Sequence, residues 1–504
     1  MTRTTRRSPA VLALAVVALT LTACGARVDS SLRQEAAAAQ LSRGGGTGSG
    51  TGSTGSTGDL STGTTGDAST GTTGATSGTT SGTGGTSGTT TGTGGTTSGS
   101  TSGTGGTSGT TGTGAPAPAG GNGGATDTGV TATSITVGNV ADASGPVPGL
   151  FKGAFTGTKA YFNMINSQGG VYGRMLNVDF GDGQLNCSAN QSATQARVSK
   201  VFAFVGNFSL YDSCGAPVLA QHQDVPNVSD YLSDAVGKQK SNYATAPLGS
   251  GWRTGPLAYY AKTYPNEWKH IGAIYAGVGS GPTVWKNTVK AIEHSGGHVD
   301  HDESYGATDT NFTGAVIRMQ QNGVKMVYVN TTDGSRTAYL VNAIRQQNLN
   351  WPIIFGATAY ATGFLDQSGD RANGVINDQQ FAQFFNADDA AKIPTVAAFQ
   401  KWMKYTDNQQ PLDIFGAYGW TSAGLFVDAL KKAGPKITRK SLFAALSTFT
   451  SYDSYGMFAT ANPAGKKPAV CWLLNKVVSG KFVRQSPSPG TGFYCTGASY
   501  YPAP

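Results

Sequence analysis

Between residues 134 and 357 the spacing of apolar residues changes period again and again. Short apolar runs predict strands at 134–141 (SITVGNVA), 175–180 (MLNVDF), 201–206 (VFAFVG), 271–276 (IGAIYA), 324–330 (VKMVYVN) and 352–357 (PIIFGA), and the polar stretch 299–305 (VDHDESY) takes a strand's place in the same alternation. Between them, apolar residues three and four apart predict helices at 153–166, 188–200, 283–294, 312–322 and 338–347. In the first of these, Phe155, Tyr161, Phe162 and Ile165 suit the buried face. Strands alternating with helices of this length make parallel sheets covered by helices on both faces. At Gly169-Gly170 the helical period stops and a strand begins at once. A glycine there supplies the positive φ that ends a helix, and the chain returns by the right-handed connection usual for such units.

The folded part runs from about 134 to 496. It is too long for a single core, so two α/β lobes are expected. The residues before it have no such pattern. Residues 44–124 are nearly all Gly, Thr and Ser, with too few apolar groups to offset the entropy of ordering. A coil of about 80 such residues reaches roughly 50 Å. The N-terminus carries Arg3, Arg6 and Arg7, then an apolar run at 10–22 that is shorter than the roughly 20 residues of a spanning helix. It reads as a signal peptide, closing on Leu21-Thr22-Ala23-Cys24. The expected organisation is a signal peptide at 1–23, a short Ala-rich segment at 24–43 and a disordered linker at 44–133. A first lobe then comprises 134–250 and 376–455, and a second 251–375 and 456–504.

Net charge is +8, and without the three leader arginines 33 basic residues face 28 acidic ones. So small and dispersed an excess gives no reason to invoke nucleic acid. The chain has five cysteines. With Cys24 set aside, Cys187, Cys214, Cys471 and Cys495 allow three pairings, which suits an oxidising exterior. Proximity along the chain favours Cys187–Cys214 and Cys471–Cys495. No CxxC pair is present, so a zinc cage is not expected. His294, His298, His301 and Asp302 crowd one segment, but His298 and His301 would point to opposite faces of a strand. The Gly-rich GVGSGP lacks the lysine of a phosphate loop, and the folded part has no Gly-x-Ser-x-Gly elbow. Neither a metal nor a cofactor is expected.

Several stretches carry a family resemblance. Residues 135–196, with Ser144-Gly145-Pro146, Ile165-Asn166 and Gly169-Gly170 at matching spacing, resemble the opening of type I periplasmic solute-binding proteins of the leucine/isoleucine/valine-binding class. VFAFVG, IGAIYAGVGSG, ATDTNFTGAVIRMQQNGVKMVYV and FGAYGWTSAGLFVDALKKAG come next, in family order. The LTAC stretch likewise resembles a lipobox, which implies acylation of Cys24. The family implies two Rossmann-like lobes joined by three crossovers, here placed near 246–251, 375–380 and 455–459, with the ligand held between the lobes. Its members deliver small molecules to an ABC permease outside the cytoplasmic membrane.

Candidate ligand residues lie in the loops beyond the strand ends. They are Leu150, where family members place an aromatic; Ser209, Leu210 and Tyr211; Asp230 and Tyr231; Ser280; Thr332; and Tyr360. Relatives carry Tyr-Gly where Ser280-Gly281 stands, and an ammonium-binding acid near Thr358-Ala359-Tyr360 that is missing here. Asp212, Asp230 or Asp333 could substitute. The tyrosines offer flat faces with a polar tip, which points to a small polar or amphipathic ligand rather than a branched-chain amino acid. The expected protein is a monomeric, lipid-anchored solute-binding protein. A surface sensor without a transporter is the alternative, and a secreted enzyme fits least, since no nucleophile or acid–base pair is visible.

Overall fold

The computed structural model describes residues 112–248, 251–330, 332–385, 387–497 and 499–502. The leader, Cys24 and residues 44–111 lie outside them. In the first lobe, β1 (Ser134–Ala141), β2 (Met175–Asp182), β3 (Phe204–Val205) and β4 (Asn227–Val228) form a parallel sheet in the order β2-β1-β3-β4. β1 and β2 run in register over their whole length, from Ser134 beside Met175 to Ala141 beside Asp182. The turn that feeds β2 works as the glycines predict. Gly169 and Gly170 have φ of 90° and 74°, and a Cβ on Gly170 would fall 2.1 Å from the Arg174 carbonyl oxygen.

Beyond the short strand β5 (Gly251–Arg253), the second lobe carries β6 (Ile271–Ala276), β7 (Val299–Tyr305), β8 (Met326–Val329), β9 (Ile353–Phe355) and β10 (Ile376–Gln379), all parallel. An antiparallel hairpin, β11 (Leu473–Val478) and β12 (Lys481–Ser486), extends the sheet to the order β12-β11-β10-β9-β8-β6-β7. β5 pairs separately with β13 (Tyr500–Pro502). The expected crossover near 375–380 therefore shifts. β10 is an internal strand of the second sheet, bonded to β9 and β11, so residues 376–379 belong to that lobe. The chain crosses just beyond, where Phe381 bridges Phe458 and Ala382 N donates to Met457 O.

The helix Ile414–Ala433 is buried along most of its length and lies on the helix Lys152–Asn166. Glycine lets the two backbones touch. A Cβ on Gly157 would sit 2.0 Å from Gly416 O, and one on Gly419 2.0 Å from Ala154 O. The described residues also reach back before 134. Residues 112–133 pack on the first lobe, because the buried Arg174 guanidinium takes their carbonyls as partners. It donates to Asn122 O at 2.7 Å, Gly124 O at 2.8 Å, Thr131 O at 2.7 Å and Pro435 O at 2.9 Å. Asp127 adds a carboxylate contact to Arg439 N.

Disulfides join Cys187 to Cys214 and Cys471 to Cys495. Much of the histidine-rich segment is engaged by nearby carboxylates. His270 and His298 face Asp300, and His301 shares Glu303 with Arg318. Among the described residues no three His, Cys, Asp or Glu side chains are placed to hold a metal ion, and no helix is long and apolar enough to cross a membrane.

Candidate ligand cleft

The carboxyl ends of both parallel sheets face a common cleft. From the first lobe come Leu150 and Phe151 after β1, Phe208 and Leu210 after β3, and Tyr231 and Leu232 after β4. From the second come Ala276, Gly281 and Val284 after β6, Asn330, Thr332 and Asp333 after β8, and Gly356 to Thr358 after β9. Two adjoining chambers, of about 540 and 630 Å³ counting their open mouths, share Phe208, Leu232, Val284, Asn330 and Thr358.

The first chamber is apolar. Phe151 meets Phe415 edge-on with ring centres 4.5 Å apart and Phe208 at 5.3 Å. Phe208 stacks on Tyr418 at 5.3 Å. Phe415 and Tyr418 project from the first turn of Ile414–Ala433, where Asp413 Oδ1 accepts from Gly416 N and caps the helix. Leu150, Leu210 and Val284 complete the wall.

The second chamber carries the polar groups. Asp230 is buried; its Oδ1 accepts from Ala246 N at 2.7 Å and its Oδ2 from Thr245 Oγ1 at 3.0 Å. Burial nonetheless pushes its carboxyl up to about 6. Arg253, from β5, lies 3.6 Å from Asp378 Oδ2. Asp378 also accepts from Tyr260 Oη, and burial raises its pKa. Asn330 Nδ2 donates to Thr288 Oγ1, leaving its buried Oδ1 without a partner.

Of the expected ligand residues, Leu150, Leu210, Asp230, Tyr231 and Thr332 line the cleft. Ser209 and Ser280 sit just behind it as braces. Ser209 Oγ accepts from Tyr211 N. Ser280 N reaches across from the second lobe to Leu210 O at 3.0 Å, and its Oγ donates to Asp212 Oδ1 at 3.3 Å. Tyr211, half-buried, precedes the helix Asp212–Gln221 and is not part of the cleft lining. Tyr360 is elsewhere altogether. It is fully buried among Phe381, Phe384, Phe385 and Phe482, with ring centres 4.5–5.5 Å away. The short turn after β9 ends just before it and directs its ring into the second lobe's core.

The three acids that could have met an ammonium are all engaged. Asp212 Oδ2 accepts from Leu232 N and Ser233 N, Asp230 holds the crossover, and Asp333 caps the helix Gly334–Gln346 while pairing with Arg336. Sequence reasoning missed Phe151, Phe208, Phe415, Tyr418 and Arg253. Phe415 and Tyr418 were open to detection, since FGAYGW puts two aromatics three apart just after a capping aspartate. Arg253 had no local signal.

A family model described as periplasmic binding protein matches residues 134–481. A search of curated proteins finds no match. Among solved structures, the chain is similar to a fatty acid ABC transporter substrate-binding protein from Thermomonospora curvata, at 20% identity and a TM-score of 0.59, covering 77% of this chain and 96% of that one. It is similar to a branched-chain amino acid ABC transporter protein from Thermus thermophilus with bound valine, at 15% identity and 0.58, covering 71% and 96%. A Streptococcus pneumoniae branched-chain amino acid transporter substrate-binding protein in complex with isoleucine matches at 18% and 0.56, covering 71% and 100%. At such identities these likenesses speak for the fold. With the family model spanning most of the described residues and both sheets arranged as described, the chain belongs to the periplasmic binding protein family.

Proposed function

We propose that the protein is an exported, lipid-anchored solute-binding protein that captures a small amphipathic molecule between its lobes and hands it to an ABC importer. The observation that carries this is the cleft itself. Two parallel sheets present their carboxyl ends to one continuous space, apolar at one end and polar at the other. The paired crossovers at Phe381 and Phe458 let the lobes move about a short segment. The solved relatives are described as binding a fatty acid, valine or isoleucine, all with an apolar body and a polar head. The lipobox-like LTAC and the Gly-rich stretch supply the anchor and spacer.

Ligand that binds only the folded form raises the melting temperature with its concentration, by about 2.7 kcal/mol at 100-fold excess over Kd. A thermal-shift screen of amino acids, amides, sugars, nucleosides, fatty acids and aromatic acids therefore tests the reading. At least one class should give a saturable shift that Phe208→Ala abolishes. A shift indifferent to Phe208 places the site elsewhere.

A further inference from the structure

One charged group in the cleft is short of partners. Arg253 is 9% exposed, and its Nη1 is buried without a hydrogen-bond acceptor. Among the described residues its one ionic contact is the 3.6 Å approach of Nη2 to Asp378 Oδ2, longer than a hydrogen bond. A buried guanidinium with an open edge is costly unless something fills it. The residue lines the second chamber, next to Tyr231, Trp252 and Tyr418. Among the described residues it is the one basic side chain in the lining of either chamber. Lys152, at the outer mouth, is already paired with Asp407 at 2.7 Å.

We propose that Arg253 receives the head group of a monoanionic ligand, and that the cleft selects carboxylates bearing an apolar chain or ring. This rests on the solute-binding reading above. Arginine's planar fork matches a carboxylate. With Asp378 already beside the one cation of the lining, the site has little positive charge to spare and disfavours a dianion such as a phosphate monoester. The adjoining chamber of Leu150, Phe151, Phe208, Leu210 and Phe415 then takes the apolar part. A free amino acid is disfavoured at the same site, because Asp212, Asp230 and Asp333 are each held by other groups.

The test is calorimetric titration of the delipidated full-length protein with octanoate and phenylacetate against octanamide and phenylacetamide. At least one acid should bind tenfold or more tighter than its matched amide. Removing Arg253 alone could destabilise the fold by stranding Asp378, so the key variant is Arg253→Gln with Asp378→Asn, checked by its melting temperature. It should bring acid and amide to equal affinity, while Arg253→Lys retains part of the preference. Equal binding of acid and amide by the wild type, an intact preference in the double variant, or binding confined to neutral or cationic compounds overturns the proposal and leaves the solute-binding reading standing. No response to any compound in the thermal-shift screen overturns that reading itself.

Discussion

Asp142 and Asp230 close the ends of β1 and β4 as buried carboxyls, and burial pushes each up to about 6. Both lie above the ordinary carboxylate value, so the folded chain binds more protons than the unfolded one between about pH 4 and 6. Their contribution is fully present below the unfolded value and is lost as pH rises through the folded one. A shift of about two units corresponds to about 3 kcal/mol per group. Asp230→Asn should therefore flatten the decline in melting temperature between pH 4.5 and 7.5. The substitution fits, since Thr245 Oγ1 already has Thr421 Oγ1 as a second partner. An unchanged pH profile in that variant counts against a raised Asp230. At this scale, loops are readable before the side chains that face the ligand. Leu150, Leu210 and Tyr231 lie in the cleft, but Tyr360 is core, because β9 ends in a single short turn rather than a loop. Arg253 depends on a strand pairing with Tyr500 at the far end of the chain, and no local pattern encodes that.

Among the elements, the alternating strands were the most legible, because buried parallel strands are apolar on both faces. Strand 201–206 is trimmed to Phe204–Val205, and helix 338–347 starts four residues early, at Gly334, because Asp333 caps it. The hairpin β11–β12 went unread although Ser479-Gly480, both at positive φ, marks a tight turn. Crossover positions were the least legible, since they are set by which sheet claims β10. Two predictions belong here. Gly157→Ala or Gly419→Ala should cost roughly 1–3 kcal/mol by forcing apart the helices Lys152–Asn166 and Ile414–Ala433. A melting temperature unchanged by both would mean the helices have room to spare. The Cys187–Cys214 bridge spans 27 residues and should contribute roughly 3–4 kcal/mol in the chain-entropy model. Denaturant unfolding of the double Ser variant measures it, and peptide mapping without reductant should recover both bridges.

For the whole molecule, the lobes meet at Ser280 N and Leu210 O. Leucine, isoleucine and valine should give little thermal shift, since the cleft offers their ammonium no unengaged acid. A large shift with valine overturns that specificity argument. Cys24→Ala should release the protein from membranes or leave it unprocessed, read out by detergent partitioning. The clasp on residues 112–133 has a mechanical consequence. Arg174 fastens that stretch to β2 and to the chain at Pro435, all on the first lobe. Tension arriving through the preceding chain is thus borne by one lobe, and the other stays free to swing. On the proposed reading, a pull that would pry open a molecule held at both halves would leave this one's grip on its ligand untouched.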